Sequence, residues 1–283
     1  SLLVNDGMNY DYDADEIFTC ERQYRMNKYA VKALLARVNL WVGNKDEAAR
    51  YAREVIEGCG LELVSDNSQD VSMKGETLFG LLMDDMETKL SEYWSTDLLN
   101  GRQFAGSSLC VILEDTRNVV FEAQTVGIND IRANGFLSDR SNPVRYMCQK
   151  YLGDEEYDVE GYYENIPLIR LSEMYYILSE CVSLSESVEY INEVRTNRGV
   201  SRAYAYQADD FRTEEDRREA LRNEYSKDFF AEGQYFYFLK RNNYETFYRC
   251  PVTNMRNYYV FPLPDDEIEF GGDTVDHDSE NEN

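Results

Sequence analysis

Apolar residues recur at helical spacing in three separate parts of the chain and lose that spacing between them. The first part is "RMNKYAVKALLARVNLWVG", where Ala30, Ala33, Leu34, Arg37, Val38 and Trp41 fall along one side of a helix. This places Trp41 in the core. Gly43 and Asn44 break the pattern, and "KDEAARYAREVIEG" restores it with Ala48, Ala49, Ala52, Val55 and Ile56. Gly58 stands where a glycine commonly ends a helix. Two helices joined by a tight turn form an antiparallel hairpin, and their alanines let the backbones approach closely. Residues 22–58 therefore read as one tetratricopeptide-type unit.

A second hairpin is expected over 167–199. "IPLIRLSEMYYILSECV" is apolar at Ile169, Met174, Ile177, Leu178, Cys181 and Val182, with Pro167 at a helix start. After the turn "SLSE", Val188, Ile191 and Val194 continue the spacing and Gly199 ends it. The third helical block covers 213–243 and opens on Thr213 and Asp216, a cap with acidic residues in the first turn. Its aromatic run Tyr235–Phe238 spreads around the whole circumference of a helix. That predicts a buried helix rather than a flat stacking surface. Gly233 is expected to let a neighbour pack close.

Residues 61–165 lack sustained periodicity and read as long loops with short strands and helices. Loops of that length in a compact domain usually carry function. Residues 258–272 read as extended, held open by Pro262 and Pro264, and 272–283 as an acidic disordered tail. The fold class is mainly α: tetratricopeptide-like hairpins with long loop-rich insertions and few short strands, forming one domain over 1–271.

Charge narrows the partners. Acidic residues outnumber basic ones 54 to 29 among 283, a formal charge of −25 that repels phosphate backbones and argues against nucleic acid. No apolar run approaches the ~20 residues that span a bilayer. The six cysteines, Cys20, Cys59, Cys110, Cys148, Cys181 and Cys250, form no CxxC pair and read as scattered buried thiols. The single histidine, His277, leaves no Ser-His-Asp, Cys-His or HExxH arrangement within the chain. No phosphate or dinucleotide loop is present, so no cofactor is expected. "DYDADE" fails as an EF-hand, because Glu16 and Arg22 occupy loop positions six and twelve, and no metal site is assigned. For the many carboxylates, pairing at the surface is the default.

Aromatic residues beside hydrogen-bonding groups suit sugar binding, since flat rings stack on C–H faces while amides, carboxylates and Arg take the hydroxyls. Three loop clusters offer this: Tyr93 and Trp94, Arg102 with Phe104, and Tyr162 with Tyr163. The plainer role for each is to pin its loop to the helices.

Four of these segments, in this order, resemble the SusD/RagB family of Bacteroidetes surface nutrient-binding lipoproteins. The helical pair "KALLARVNLWVGNKDEAARYAREVIE" is similar to a family tetratricopeptide pair. "NIPLIRLSEMYYILSEC" with "YINEVRTNRGV", then "RNEYSKDFFAEGQYFYFLKR", then "YVFPLPDDEI" resemble its later blocks. The chain departs from the pattern at Tyr235 and Phe238, where many relatives carry Arg and Asp. The resemblance implies a non-enzymatic, surface-exposed outer-membrane protein that binds oligosaccharide or another small nutrient. It implies a SusC-like TonB-dependent transporter as partner and a lipid anchor outside this chain. Family members are longer at the N-terminus, so upstream sequence is expected. The alternatives are a scaffold that binds peptide or protein, or a RagB-like peptide importer. A carboxylate-dependent glycosidase is a third.

Overall fold

The computed structural model describes residues 22–68, 70–83, 86, 89, 112–139, 145–148, 150–151 and 165–264. Contacts divide the chain into two compact units, residues 1–238 and 239–283. Each is described separately.

The first unit is built on two helical hairpins: α1 (Lys28–Trp41) with α2 (Lys45–Gly58), and α5 (Leu171–Cys181) with α6 (Leu184–Asn197). α1 starts at Asn27, whose side-chain oxygen accepts from the backbone N–H of Tyr29 and Ala30, both at 2.9 Å. The same side chain donates to the Leu78 carbonyl at 3.0 Å, tying the helix start to a strand. Ala30, Ala33 and Ala36 of α1 and Ala48 and Ala52 of α2 are fully buried. The small side chains allow close approach, and α2 packs in turn against α5.

The buried side of α1 is not the one the apolar spacing selects. Ala30 and Ala33 are buried as expected, but Leu34, Val38 and Trp41 face outward, with Trp41 46% exposed. The helix is apolar on both sides, so periodicity alone does not choose between them. The alanine side wins because only it admits a neighbouring backbone. Gly58 is likewise inside α2 rather than beyond its end, and a Cβ there would lie 2.7 Å from Tyr29 Oη. The left-handed turn residue is Gly60.

Pro167 belongs to a strand. β1 (Thr77–Leu82) and β5 (Asn165–Arg170) form an antiparallel two-stranded ribbon with Pro167 opposite Gly80. Alternate residues of β5 are buried, a period of two that the short segment shares with a helix start. α5 begins only at Leu171 and is buried on nearly every side. The turn before α6 is shorter than "SLSE", because Ser183 and Glu186 of that stretch form a capping box. Gly199 ends the hairpin with φ +84°, as expected.

Between the hairpins lie β2 (Ile112–Leu113), α3 (Glu114–Val120), α4 (Ile131–Asn134), β3 (Phe136–Asp139) and β4 (Arg145–Cys148). β4 sits between β2 and β3, antiparallel to both. The short strands and helices expected of this region are present. The third helical block divides into α7 (Glu214–Asp228) and α8 (Gln234–Arg241). Thr213 and Asp216 form the expected capping box.

Gly233 lies in the turn between α7 and α8, at φ +89° with open space around its missing Cβ, so it serves backbone conformation and not close packing. Nor is α8 buried all round. Phe238 stacks on Tyr225 with centroids 4.5 Å apart, whereas Tyr237 is 60% exposed and meets Trp41 edge-to-face at 6.5 Å.

In the second unit a 3-10 turn at Met255–Tyr258 is held by Arg256 to Glu245 (2.6 Å) and by Tyr259 Oη donating to the Tyr244 carbonyl (2.7 Å). Residues 261–264 carry no regular structure. Cys59 and Cys148 are buried thiols, while Cys181 and Cys250 are partly exposed. Among the described residues no helix is long and apolar enough to cross a membrane.

Two glycines separate conformational from steric demand. At Gly199 a Cβ would sit 2.3 Å from the Asn129 carbonyl oxygen, at φ +84°; at Gly233 only φ is unfavourable. Gly233→Ala should cost about 1 kcal/mol and Gly199→Ala at least about 2 kcal/mol in urea unfolding. Equal costs would show that the Asn129 contact relaxes freely.

Candidate functional site

Thr77 pairs with Arg170 at one end of the β1–β5 ribbon and Leu82 with Asn165 at the other. The two ends differ in chemistry. The first enters a buried cluster of charges, and from the second the chain continues into the segments that carry the aromatic clusters.

The charged end gathers side chains far apart in sequence. Asp228, at the end of α7, receives Arg198 Nε at 2.9 Å, Arg170 at 3.3 Å and Arg132 at 3.5 Å. Glu76, just before β1, pairs with Arg198 Nη2 at 2.7 Å and with Arg170, and also accepts from the Val64 backbone N–H at 3.0 Å. Glu224 receives Arg195 at 2.7 Å and Arg132 at 2.8 Å. Arg132 also forms a two-point pair with Asp130, and Arg170 Nε meets Glu232 at 3.0 Å. Most of these groups have fully buried side chains. Isolated charges there would cost several kcal/mol each, which is why every arginine meets a carboxylate.

The electrostatics follow. Burial opposes ionisation of Asp228, yet Arg198, Arg170 and Arg132 overcome it and hold its carboxyl well below the usual range. Burial likewise opposes ionisation of Glu76, but Arg198 and Arg170 lower its pKa. For Glu224 burial is outweighed by Arg132, Lys227 and Arg195, and the pKa falls to about 2. Burial pushes the Tyr176 phenol well up, assisted by Asp228 and Glu224, so it stays neutral. Among the described residues its buried Oη has no hydrogen-bond partner.

This cluster corrects the assignment of carboxylates to the surface. Its members stood in the motifs already quoted: Arg170 before "LSE", Arg195 and Arg198 in "VRTNRG", and Glu224, Asp228 and Glu232 in "NEYSKDFFAEG". Glu224 to Asp228 is one helical turn and Arg195 to Arg198 less than one, so each pair shares a helix face. That spacing is the one local signal of the cluster. Asp130, Arg132 and Glu76 carry none.

A cavity of about 20 Å³ adjoins the cluster, lined by residues including Asn67, Met73, Arg132, Cys148, Lys150 and Asp228. It has room for about one water, far below the few hundred Å³ of a small-molecule site. Among the described residues no three His, Cys, Asp or Glu side chains converge in a way that could hold a metal ion. Its paired charges tie separate elements of the chain together.

Tyr93, Trp94, Arg102, Phe104, Tyr162 and Tyr163 all lie outside the described residues. Their roots do not. The segment holding Tyr93, Trp94, Arg102 and Phe104 follows β1, whose last residue is Leu82, and Tyr162 and Tyr163 lie three and two residues before Asn165, the first residue of β5. Leu82 and Asn165 are cross-strand partners, so both segments root at one end of the ribbon. Asn165 is fully buried there and donates to Thr77 Oγ1 at 3.3 Å. Its side-chain oxygen Oδ1 lies where a Cβ on Gly80 would approach to 2.7 Å, so glycine at 80 permits that fit.

The family model of the SusD family matches residues 93–273. The chain belongs to the SusD/RagB family. The fold agrees: a SusD superfamily protein of Bacteroides fragilis superposes with a TM-score of 0.63 at 19% identity, over 92% of this chain and 59% of its own. A SusD superfamily protein of Bacteroides thetaiotaomicron gives 0.60 at 22%, over 78% of this chain and 51% of its own. A SusD-like carbohydrate binding protein of Bacteroides vulgatus gives 0.61 at 16%, over 87% and 59%. The present chain thus spans between half and three-fifths of these structures. No curated protein matches it.

Two substitutions test the cluster in this SusD-family chain. Glu224 has its folded pKa lowered from 4.5 to about 2, so its stabilising ionisation is complete above about pH 4.5 and is lost as pH falls through 2. Glu224→Gln should cost about 3 kcal/mol at pH 7 and flatten the fall in stability between those pH values, read by urea titration at pH 7 and pH 3. An unchanged pH dependence would remove Glu224 from the acid response. Tyr176→Phe should be neutral or stabilising by up to about 1 kcal/mol, because it removes an unpartnered buried hydroxyl. A loss above that range would mean the hydroxyl has a partner, such as an ordered water.

Proposed function

We propose that this protein is a non-enzymatic, cell-surface nutrient-binding protein that takes up an oligosaccharide and hands it to a SusC-like TonB-dependent outer-membrane transporter. The observation that carries this reading is the family match over residues 93–273, which begins at the first aromatic cluster and runs through the charged core. The similarity in fold to a SusD-like carbohydrate binding protein of Bacteroides vulgatus favours a sugar over other nutrients. A lipid anchor outside residues 1–283 holds the protein at the outer membrane. The net charge of −25 suits a neutral ligand.

On this reading the ribbon gives the ligand site a fixed base. It joins the buried cluster, at Thr77 and Arg170, to the roots of both aromatic segments, at Leu82 and Asn165. Tyr93, Trp94, Tyr162 and Tyr163 stack on sugar faces, with Phe104 extending the apolar surface. Arg102 takes hydroxyls.

Calorimetry against an oligosaccharide panel and a peptide pool tests the ligand class. Binding to at least one oligosaccharide is expected, and Trp94→Ala and Tyr163→Ala should each weaken it by about tenfold or more, roughly 1.4 kcal/mol, with Tm unchanged. Peptide-only binding would replace the sugar with a peptide. Full affinity in both variants would remove those residues from the site. Recovery of a large β-barrel on purification from outer membrane tests the partner, and its absence from well-expressed protein would count against the transporter.

A further inference from the structure

The end of α7 and the turn that follows it are gripped by side chains from elsewhere in the chain. Lys150 and Tyr151 come from just after β4, and Arg170 is the last residue of β5. An ammonium has three N–H donors, and those of Lys150 meet three oxygens: Glu232 Oε1, the Phe230 carbonyl at 3.2 Å and the Asp228 carbonyl at 3.4 Å. Tyr151 Oη donates to the Ala231 carbonyl at 2.9 Å. Arg170 Nε donates to Glu232 Oε2 at 3.0 Å, and its Nη2 donates to the Asp228 carbonyl.

The grip is buried. The Glu232 side chain is fully enclosed and that of Lys150 is only 10% exposed. Ala231 sits in the turn at φ +62°, in the left-handed region that a residue with a Cβ rarely adopts. Such backbone persists only where its surroundings hold it, and Tyr151 and Lys150 bond the Ala231 and Phe230 carbonyls on either side of the Phe230–Ala231 link.

Lys150 and Arg170 are also the two flanks of one stretch of chain. Residues 152–164, which carry Tyr162 and Tyr163, run between Tyr151 and the start of β5 at Asn165. Both flanks therefore meet at a single carboxylate, Lys150 on Oε1 and Arg170 on Oε2. The stretch leaves beside the charged end of the ribbon and rejoins the ribbon at its other end. Fixing both flanks removes conformational freedom from the chain between them before any ligand arrives, which is how preorganisation raises affinity.

We propose that the Lys150–Glu232 pair is a positioning clamp for the segment that carries Tyr162 and Tyr163: Glu232 fastens the departure of the segment to the strand on which it returns. The proposal rests on the reading of those tyrosines as sugar-stacking residues. Lys150 and Glu232 do not touch the ligand and act through the segment.

The segment contains Glu155, Glu156, Glu160 and Glu164, so a glutamate-specific protease reads it directly. Lys150→Met keeps the bulk of the stem and leaves Glu232 paired with Arg170, so no carboxylate is stranded. Under native conditions the variant should be cut after those glutamates at least fivefold faster than the unaltered chain. Cutting after Glu189 and Glu193 of α6, which reports global unfolding, should not change. Affinity for the tightest-binding member of the oligosaccharide panel should fall at least fivefold. Tyr151→Phe, which removes the bond to the Ala231 carbonyl, should shift both readouts at least twofold and replaces Lys150→Met if that variant does not fold. Equal acceleration in the segment and in α6 would assign the pair to general stability and overturn the clamp. So would unchanged cutting of the segment, or faster cutting at full affinity. An unaltered chain that binds no oligosaccharide would remove the sugar reading, and the cutting rates would still decide whether the pair fastens the segment.

Discussion

Asp228 and Glu76 are buried carboxylates that draw arginines from separate parts of the chain: Arg132 from the short helix α4, Arg170 from the end of β5 and Arg198 from the end of α6. The first unit is organised around this cluster, because no element that contributes to it can leave without stranding a buried charge. Removing one partner of a buried pair typically costs 3–5 kcal/mol, even though the intact pair adds little over a well-packed apolar substitute. The cluster therefore sets relative position more than it adds stability. It fixes the second hairpin, α7 and the base of the ribbon against one another.

That fixed base matters because the segments with the aromatic clusters root at the ribbon's far end. Leu82 and Asn165 lie side by side there, although 83 and 165 bracket more than eighty residues. Antiparallel pairing thus gathers two distant segments to one place, and Asn165 packed against Gly80 keeps that end tight. On the proposed reading this is a rigid core supporting binding loops, a division of labour common to many recognition domains.

The helices illustrate what pattern alone conveys. Both hairpins were legible, as were the Thr213–Asp216 cap and the Gly199 stop, because periodicity, capping and left-handed turns are local. The buried side of α1 was not, because its two apolar faces are equivalent until a neighbour is chosen. Pro167 was misplaced because a short run of alternating apolar residues satisfies a strand and a helix start equally. The aromatic run of α8 was expected to be buried throughout, yet Tyr237 lies open, since burial depends on how many neighbours surround a helix and not on its own residues.

The sequence by itself determined the helical hairpins, the mainly α class and the family, because these rest on spacing and on motifs contiguous in the chain. Only the tertiary structure decided that the motif residues Arg170, Arg195, Arg198, Glu224 and Asp228 form one buried charge cluster, that Pro167 lies in a ribbon, and which face of α1 is covered. The reason is physical. A carboxylate is solvated at a surface and must be paired in a core, and which of these applies depends on neighbours brought from as far as 152 residues away, the separation of Glu76 and Asp228 about their shared arginines.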